Sequence, residues 1–167
     1  MRNLLTGLAM TLASAASAQE AEVANNASFG DWVVNCEAVS TQRTSCRVVQ
    51  TQSRADTNTL VIQLIGYAMA EGGAVIVAQV PMGVYLPAGL SYRAEAAPDT
   101  AQQAMIWQRC AGQICEAALQ LDADGLAELN DAEQVLFGYL PQPGAEPVIA
   151  RVNTSTLIAA LDATRPE

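Results

Sequence analysis

From Phe29 onward the apolar positions come in short runs, broken by turn-forming residues, and several runs alternate with a period of two. Asp31 to Cys36 reads as a short strand, Val39 to Arg43 as a polar turn, and Ser45 to Gln52 as the alternating partner strand. Leu60 to Ala70 and Ala74 to Val80 flank Glu71-Gly72-Gly73 and form the clearest hairpin in the chain. The length of Leu60 to Ala70 also fits a helix, but Gly66 in its middle and β-branched residues at its start favour a strand. Pro81, Gly83, Pro87 and Gly89 forbid regular structure across Pro81 to Leu90. Further strands are expected over Leu90–Glu95, Ala104–Cys110, Ile114–Leu121, Val135–Leu140 and Pro147–Val152. Asp122–Asn130 and Thr154–Ala163 read as short helices, the first with Asp122 or Asp124 as its cap. About seven to nine short strands, without the strand–helix alternation of a parallel sheet, predict an all-β antiparallel sandwich with one or two short helices.

The chain start follows a different rule. Arg2, the apolar run Leu4–Ala13 and Ala16-Ser17-Ala18 have the layout of a secretory signal peptide, with cleavage expected after Ala18. Residues 19–28 read as a flexible leader and 29–163 as a single domain. No later stretch approaches the roughly 18 apolar residues of a spanning helix, so no transmembrane anchor is expected. The expected location is the periplasm or the exterior.

Composition narrows the chemistry. The 167 residues include no histidine, and all 8 basic residues are Arg against 17 acids, for a formal net charge of -9. Triads, Cys–His dyads and imidazole-based zinc sites are therefore excluded. Loss of Arg2 with the signal peptide makes the remainder still more acidic, which opposes binding to nucleic acid or anionic lipid. Four cysteines in an exported chain suggest disulfides. Pairing Cys36 with Cys46 and Cys110 with Cys115 is simplest, because each pair brackets a predicted hairpin turn. The Cys-x-x-Cys spacing of a zinc or redox site is missing.

Other candidates carry less. Asp122-Ala-Asp124-Gly125 resembles the start of a calcium loop, but its glycine comes too early, and helix capping is the simpler role. Asp31 and Glu116 are the acids beside strand residues that a carboxylate hydrolase would use, although surface positions suit them better. Asn153-Thr154-Ser155 is read as a helix cap, and Trp32 and Trp107 as core residues before groove-lining ones. No cofactor or metal site is expected. Met82, Val84, Tyr85 and Leu86 stand out as apolar residues in a loop. They either cover one end of the sandwich or form an exposed contact patch.

Three motifs in order carry a resemblance: Phe29-Gly30-Asp31-Trp32 with Cys36 and Cys46; Pro81-x-Gly83-x-x-Leu86-Pro87-x-Gly89-Leu90; and Arg109-Cys110-Ala-Gly-Gln-Ile-Cys115. Together the sequence resembles the invasion associated locus B family over Phe29 to Leu161. The resemblance implies an exported bacterial protein with an immunoglobulin-like β-sandwich, structural roles for the four cysteines and no catalytic residues. It also implies a link to host-cell entry for the named member. The chain departs from the family pattern at Asn153-Thr-Ser-Thr-Leu157 and in its lack of Lys. The expected function is a non-enzymatic envelope or periplasmic binding protein, with an unknown protein partner in the envelope or on a host cell. The alternatives are an inhibitor or stress factor that inserts the Pro81–Leu90 loop into an envelope hydrolase, and a hydrolase using two carboxylates.

Overall fold

Ten strands and two short helices follow the predicted order closely. The computed structural model describes residues 25–165, so the expected signal peptide and residues 19–24 of the expected leader lie outside the described residues. The first half of the chain forms β1 (Ser28–Phe29), β2 (Trp32–Ser40), β3 (Arg43–Ser53), β4 (Leu60–Ala68) and β5 (Ala74–Pro81). The second half adds β6 (Leu90–Ala94), β7 (Gln103–Ala111), β8 (Ile114–Leu121), α1 (Ala123–Asp131), β9 (Gln134–Tyr139), β10 (Val148–Asn153) and α2 (Leu157–Asp162). Residues 25–28, expected in the flexible leader, are instead tied to β2. The Asn25 side chain accepts from Cys36 N–H, Asn26 N–H donates to Val34, and Val34 N–H donates to Ala27. At the far end, the Arg165 guanidinium donates to the Met69 carbonyl, two residues past the expected boundary.

All pairings are antiparallel, in the order β1-β2-β3-β4-β5-β8-β7-β6-β9-β10. The sheet folds over on β7. Gln103–Met105 pair with β6, whereas the stretch from Ile106 to Ala111 pairs with β8, across a bulge between Trp107 and Arg109. Such a bulge bends a strand and increases its twist, which suits a strand shared by two layers. One layer is therefore β1-β2-β3-β4-β5-β8-β7 and the other β7-β6-β9-β10. This is the expected all-β sandwich-like architecture. Its interior is built from inward-facing residues such as Trp32, Val48, Leu64, Ile76, Leu90 and Phe137.

The open side is closed by side chains in place of a strand ladder. Trp32 Nε1 donates to the Asn153 carbonyl at 3.1 Å and Gln52 Nε2 to the Arg151 carbonyl. Tyr139 Oη donates to the Val61 carbonyl at 3.1 Å, and Thr156 Oγ1 to the Phe29 carbonyl at 2.7 Å. These bonds satisfy backbone acceptors near the edges that would otherwise face the seam. Helix α2 packs beside them against β1 to β4, and Leu161 reaches Gly66, where a methyl group would stand 2.8 Å from Val48 Cγ2 and 3.2 Å from Leu161 Cδ2. A glycine that reads as a helix breaker in the sequence is thus a close-packing position in a strand.

The caps differ in detail from expectation. Asp122 caps α1, its Oδ1 accepting from Gly125 N–H at 2.9 Å, so that oxygen serves the helix terminus. Asn153 does not cap α2. Its Oδ1 accepts from Ser155 N–H at 3.0 Å in a turn ahead of the helix, which is also shorter than Thr154–Ala163. The α2 terminus is served from α1, where Asn130 Oδ1 accepts from Ile158 N–H at 3.1 Å.

Two buried tyrosines are expected to make stability fall at alkaline pH. Burial raises the Tyr92 phenol above its usual range, with the Glu128 carboxylate adding to it, and burial likewise raises Tyr139. Both hydroxyls donate hydrogen bonds, Tyr92 to Gln103 Oε1 at 2.8 Å, and a phenolate has no proton to give. Their folded values lie above the unfolded value of about 10, so the stabilisation is complete below that pH and is lost as pH climbs through the raised values. Urea titrations between about pH 8 and pH 11 are expected to show falling stability at the alkaline end, with a shallower fall in Tyr139→Phe.

Candidate functional site

Both expected cysteine pairs are bonded. Cys36 faces Cys46 across β2 and β3 with Cα atoms 4.1 Å apart, and Cys110 faces Cys115 across β7 and β8 at 4.0 Å. Directly opposed, closely spaced residues of an antiparallel pair meet without backbone displacement. The register puts the two bridges at opposite ends of the large layer. The second lies beside Val80, at the end from which the Pro81–Leu90 loop leaves.

That loop is pinned at several points. Met82 N–H donates to the Gln113 carbonyl at 2.9 Å, so the loop rests on the β7–β8 turn closed by the Cys110–Cys115 bridge. Tyr85 N–H donates to the Leu140 carbonyl at 2.7 Å, past the end of β9. Directly after Tyr85, Leu86–Ala88 makes a single 3-10 turn, in which Pro87 needs no hydrogen-bond donor. The four candidate residues divide. Val84 packs against the core and covers the end of the sandwich, while Met82, Tyr85 and Leu86 remain 50%, 37% and 47% exposed. Covering the end of the sandwich thus falls to Val84, and the other three lie at the surface.

Ala88 and Gly89, at the end of the loop, also border a groove of about 380 Å³ on the outer face of the small layer. Ser91 and Gly138 are paired across β6 and β9, and the absence of a side chain at Gly138 leaves the centre shallow and open. Leu136, Leu140, Pro147 and Ile149 supply apolar walls, and Ile149 is 58% exposed. At one end Arg93 pairs with Asp99 at 2.8 Å and donates to the carbonyls of Ala94, Glu95 and Ala97. Its guanidinium is thereby committed to holding the Glu95–Asp99 turn. A concavity lined mostly by apolar residues with a few polar groups has the composition common to sites for small apolar groups.

Sequence reading missed this groove, although its signal is in β9. Val135-Leu-Phe-Gly-Tyr-Leu140 does not alternate, so it offers apolar residues to both faces of the layer. The tryptophans are elsewhere. Trp32 is core, and Trp107 is half-buried against the core.

Of the acids weighed for hydrolysis, Glu116 is held in an ion pair. Glu116 bonds to Arg109 Nε at 2.6 Å and to Gln79 Nε2 at 2.9 Å. The Arg109 hydrogen bond holds its carboxyl below the usual range, with partial desolvation acting the other way. That is the reverse of what a general acid needs. Among the described residues no group of three or more acids or cysteines is placed to hold a metal ion. Among them too, no helix is long and apolar enough to cross a membrane.

These features define a class: a disulfide-stapled, antiparallel β-sandwich with an exposed apolar loop and a groove at one end. The family is shown by sequence. The model for the invasion associated locus B (IalB) protein matches residues 32–165, and the chain belongs to that family, which is not a known enzyme family. The fold agrees with a solved structure, the crystal structure of invasion associated protein B from Bartonella henselae. The two share 17% identity and a TM-score of 0.68, over 81% of this chain and 91% of that one. No curated protein matches the sequence at a significant level. Family membership and two bridged cysteine pairs point to an extracytoplasmic protein.

Proposed function

We propose that this chain is an exported envelope protein that acts by binding, without catalysis, through the end formed by the Pro81–Leu90 loop and the adjoining groove. The observation that carries this reading is the pairing of exposure with fixation. Met82, Tyr85 and Leu86 are apolar and exposed, yet their backbone is fastened to Gln113 and Leu140. Exposed apolar side chains on a preorganised backbone lose little entropy on association, which is the usual economy of a recognition loop. The partner in this reading is a protein of the envelope or of a host-cell surface. The name of the solved relative ties that protein to invasion, and a host-cell partner for this chain is an extension of that name. The signal peptide and the periplasmic or secreted location belong to the same proposal.

The test is capture of partners from envelope extracts by the exported chain at micromolar concentration. Tyr85→Ala combined with Leu86→Ala is expected to reduce capture at least about tenfold, the loss of two anchors of a small interface. The melting temperature should stay within a few degrees, because surface substitutions change stability by only about 0.5 kcal/mol. Failure of the parent chain to enrich any partner, or full capture by the double variant, would overturn the proposal. Gly138→Leu, which fills the groove, separates its contribution from that of the loop.

A further inference from the structure

The outer face of the large layer carries a second apolar surface, unrelated to the loop. The register lines up Val33, Val49, Ile65, Val77, Ala118 and Ile106 in one unbroken row across β2, β3, β4, β5, β8 and β7. These positions alternate with the core residues Val34, Val48, Leu64, Ile76 and Ala117, so they face outward. Tyr67 and Val75, paired on β4 and β5, widen the row at its middle. Ile106, at one end, is 72% exposed, the highest value among the exposed large hydrophobics of the described residues. One neighbouring row is polar and bonded within itself. Gln63 donates to Thr51, and Gln79 and Arg109 to Glu116. Exposure is greatest at the two ends of the row, Ile106 and Val33 (37%), while Val49, Val77 and Ala118 are half-buried and Ile65 is 8% exposed. An outward apolar row of this kind lies outside the core cluster and is the sort of surface that marks an interface.

Charge says what covers it. The six strands contain five charged residues: Glu37, Arg43, Arg47, Arg109 and Glu116. Glu37 pairs with Arg47 and Glu116 with Arg109, so this layer is neutral to slightly positive. The rest of the described residues hold twelve acids against four Arg. Two copies approaching by any other side set negative against negative. Approaching by this face, they bring two nearly neutral apolar surfaces together with the acidic parts outboard. Face-to-face packing of two sheets about 10 Å apart is an ordinary β arrangement. We infer that the face formed by β2, β3, β4, β5, β8 and β7 is a self-association surface, on which a second copy of this chain packs sheet to sheet.

The size of the face sets the strength. Five strand spacings span about 24 Å, and three rows cover about 20 Å along the strands. That is roughly 500 Å² per copy, near the lower limit for a stable complex, so a dimer with a dissociation constant of tens of micromolar is expected. Screening the outboard charges should strengthen it, so the dimer tightens as salt rises.

Sedimentation equilibrium on the exported chain tests this, over about 1 to 500 µM protein at low and high salt. The expected result is a monomer–dimer equilibrium that Ile106→Glu weakens at least about tenfold with an unchanged melting temperature, since a charge would be buried at the interface. Ile149→Glu, on the opposite layer, should leave it unaltered. A chain that stays monomeric throughout, or a dimer equally strong in Ile106→Glu, would overturn the inference. A dimer lost instead on Tyr85→Ala with Leu86→Ala would do so as well.

Discussion

Trp32→Ala is expected to cost the domain about 4–5 kcal/mol of stability. Removing a fully buried Trp costs about 3–5 kcal/mol, and a single domain has about 5–15 kcal/mol in all. Trp32 is 1% exposed, so the upper part of that range applies. The substitution also takes the donor from the Asn153 carbonyl, on the seam that joins the two layers. Circular dichroism with urea titration measures the loss. Trp107→Phe is the informative contrast. Trp107 is only partly buried and its Nε1 has no protein acceptor, so no hydrogen bond is lost and the cost should be about 1 kcal/mol. Equal costs for the two substitutions would mean that the seam contributes no more than ordinary packing.

Gly73→Ala should be nearly as damaging, for a backbone reason. Gly73 has φ +74°, and an added Cβ would stand 2.2 Å from the Leu121 carbonyl oxygen and 3.0 Å from Asp122 Cα. Both neighbours are backbone, held by β8 and by the cap of α1, so neither yields without moving the β8–α1 junction. A loss of about 3 kcal/mol or more is expected, in the class of strain at a special conformation. Gly72→Ala separates the two parts of that cost. Gly72 also has a positive φ, +93°, but its nearest neighbour would be Ala123 Cβ at 3.7 Å. Only the conformational penalty of about 1–2 kcal/mol should remain. Thermal melts of the two variants side by side decide the matter. If Gly72→Ala is the worse of the pair, the close approach at Gly73 is not what limits the turn.

The two glycines show how a sequence signal and its meaning separate. Glu71-Gly72-Gly73 is legible as a turn because glycine beside a polar residue, between two apolar runs, has few other uses. Which glycine is irreplaceable is not legible, since the clash partner at Leu121 lies far along the chain. The exposed apolar surfaces behave likewise. Met82, Tyr85 and Leu86 attract notice because apolar side chains in a Pro-Gly loop break a pattern. Val84 has the same composition in the same loop, and only the folded chain sends it inward. The groove at Gly138 and the row from Val33 to Ile106 leave a fainter trace in paired apolar neighbours, Val33-Val34, Val48-Val49, Leu64-Ile65 and Ile76-Val77. Such pairs say that a strand is apolar on both faces, without saying what the second face meets.

The sequence by itself determined the elements, their antiparallel pairing in local hairpins and the cysteine partners, because each depends on neighbours within a turn or two. Alternation places side chains, glycine and proline place turns, and opposed cysteines close the hairpins they flank. The tertiary structure alone decided the strand order after β5, the folding of the sheet on β7, the side-chain seam at Trp32 and the alignment of six outward residues into one row. Those features depend on register between strands far apart in the chain. Register is fixed by the packed interior as a whole, and no local stretch of residues encodes it.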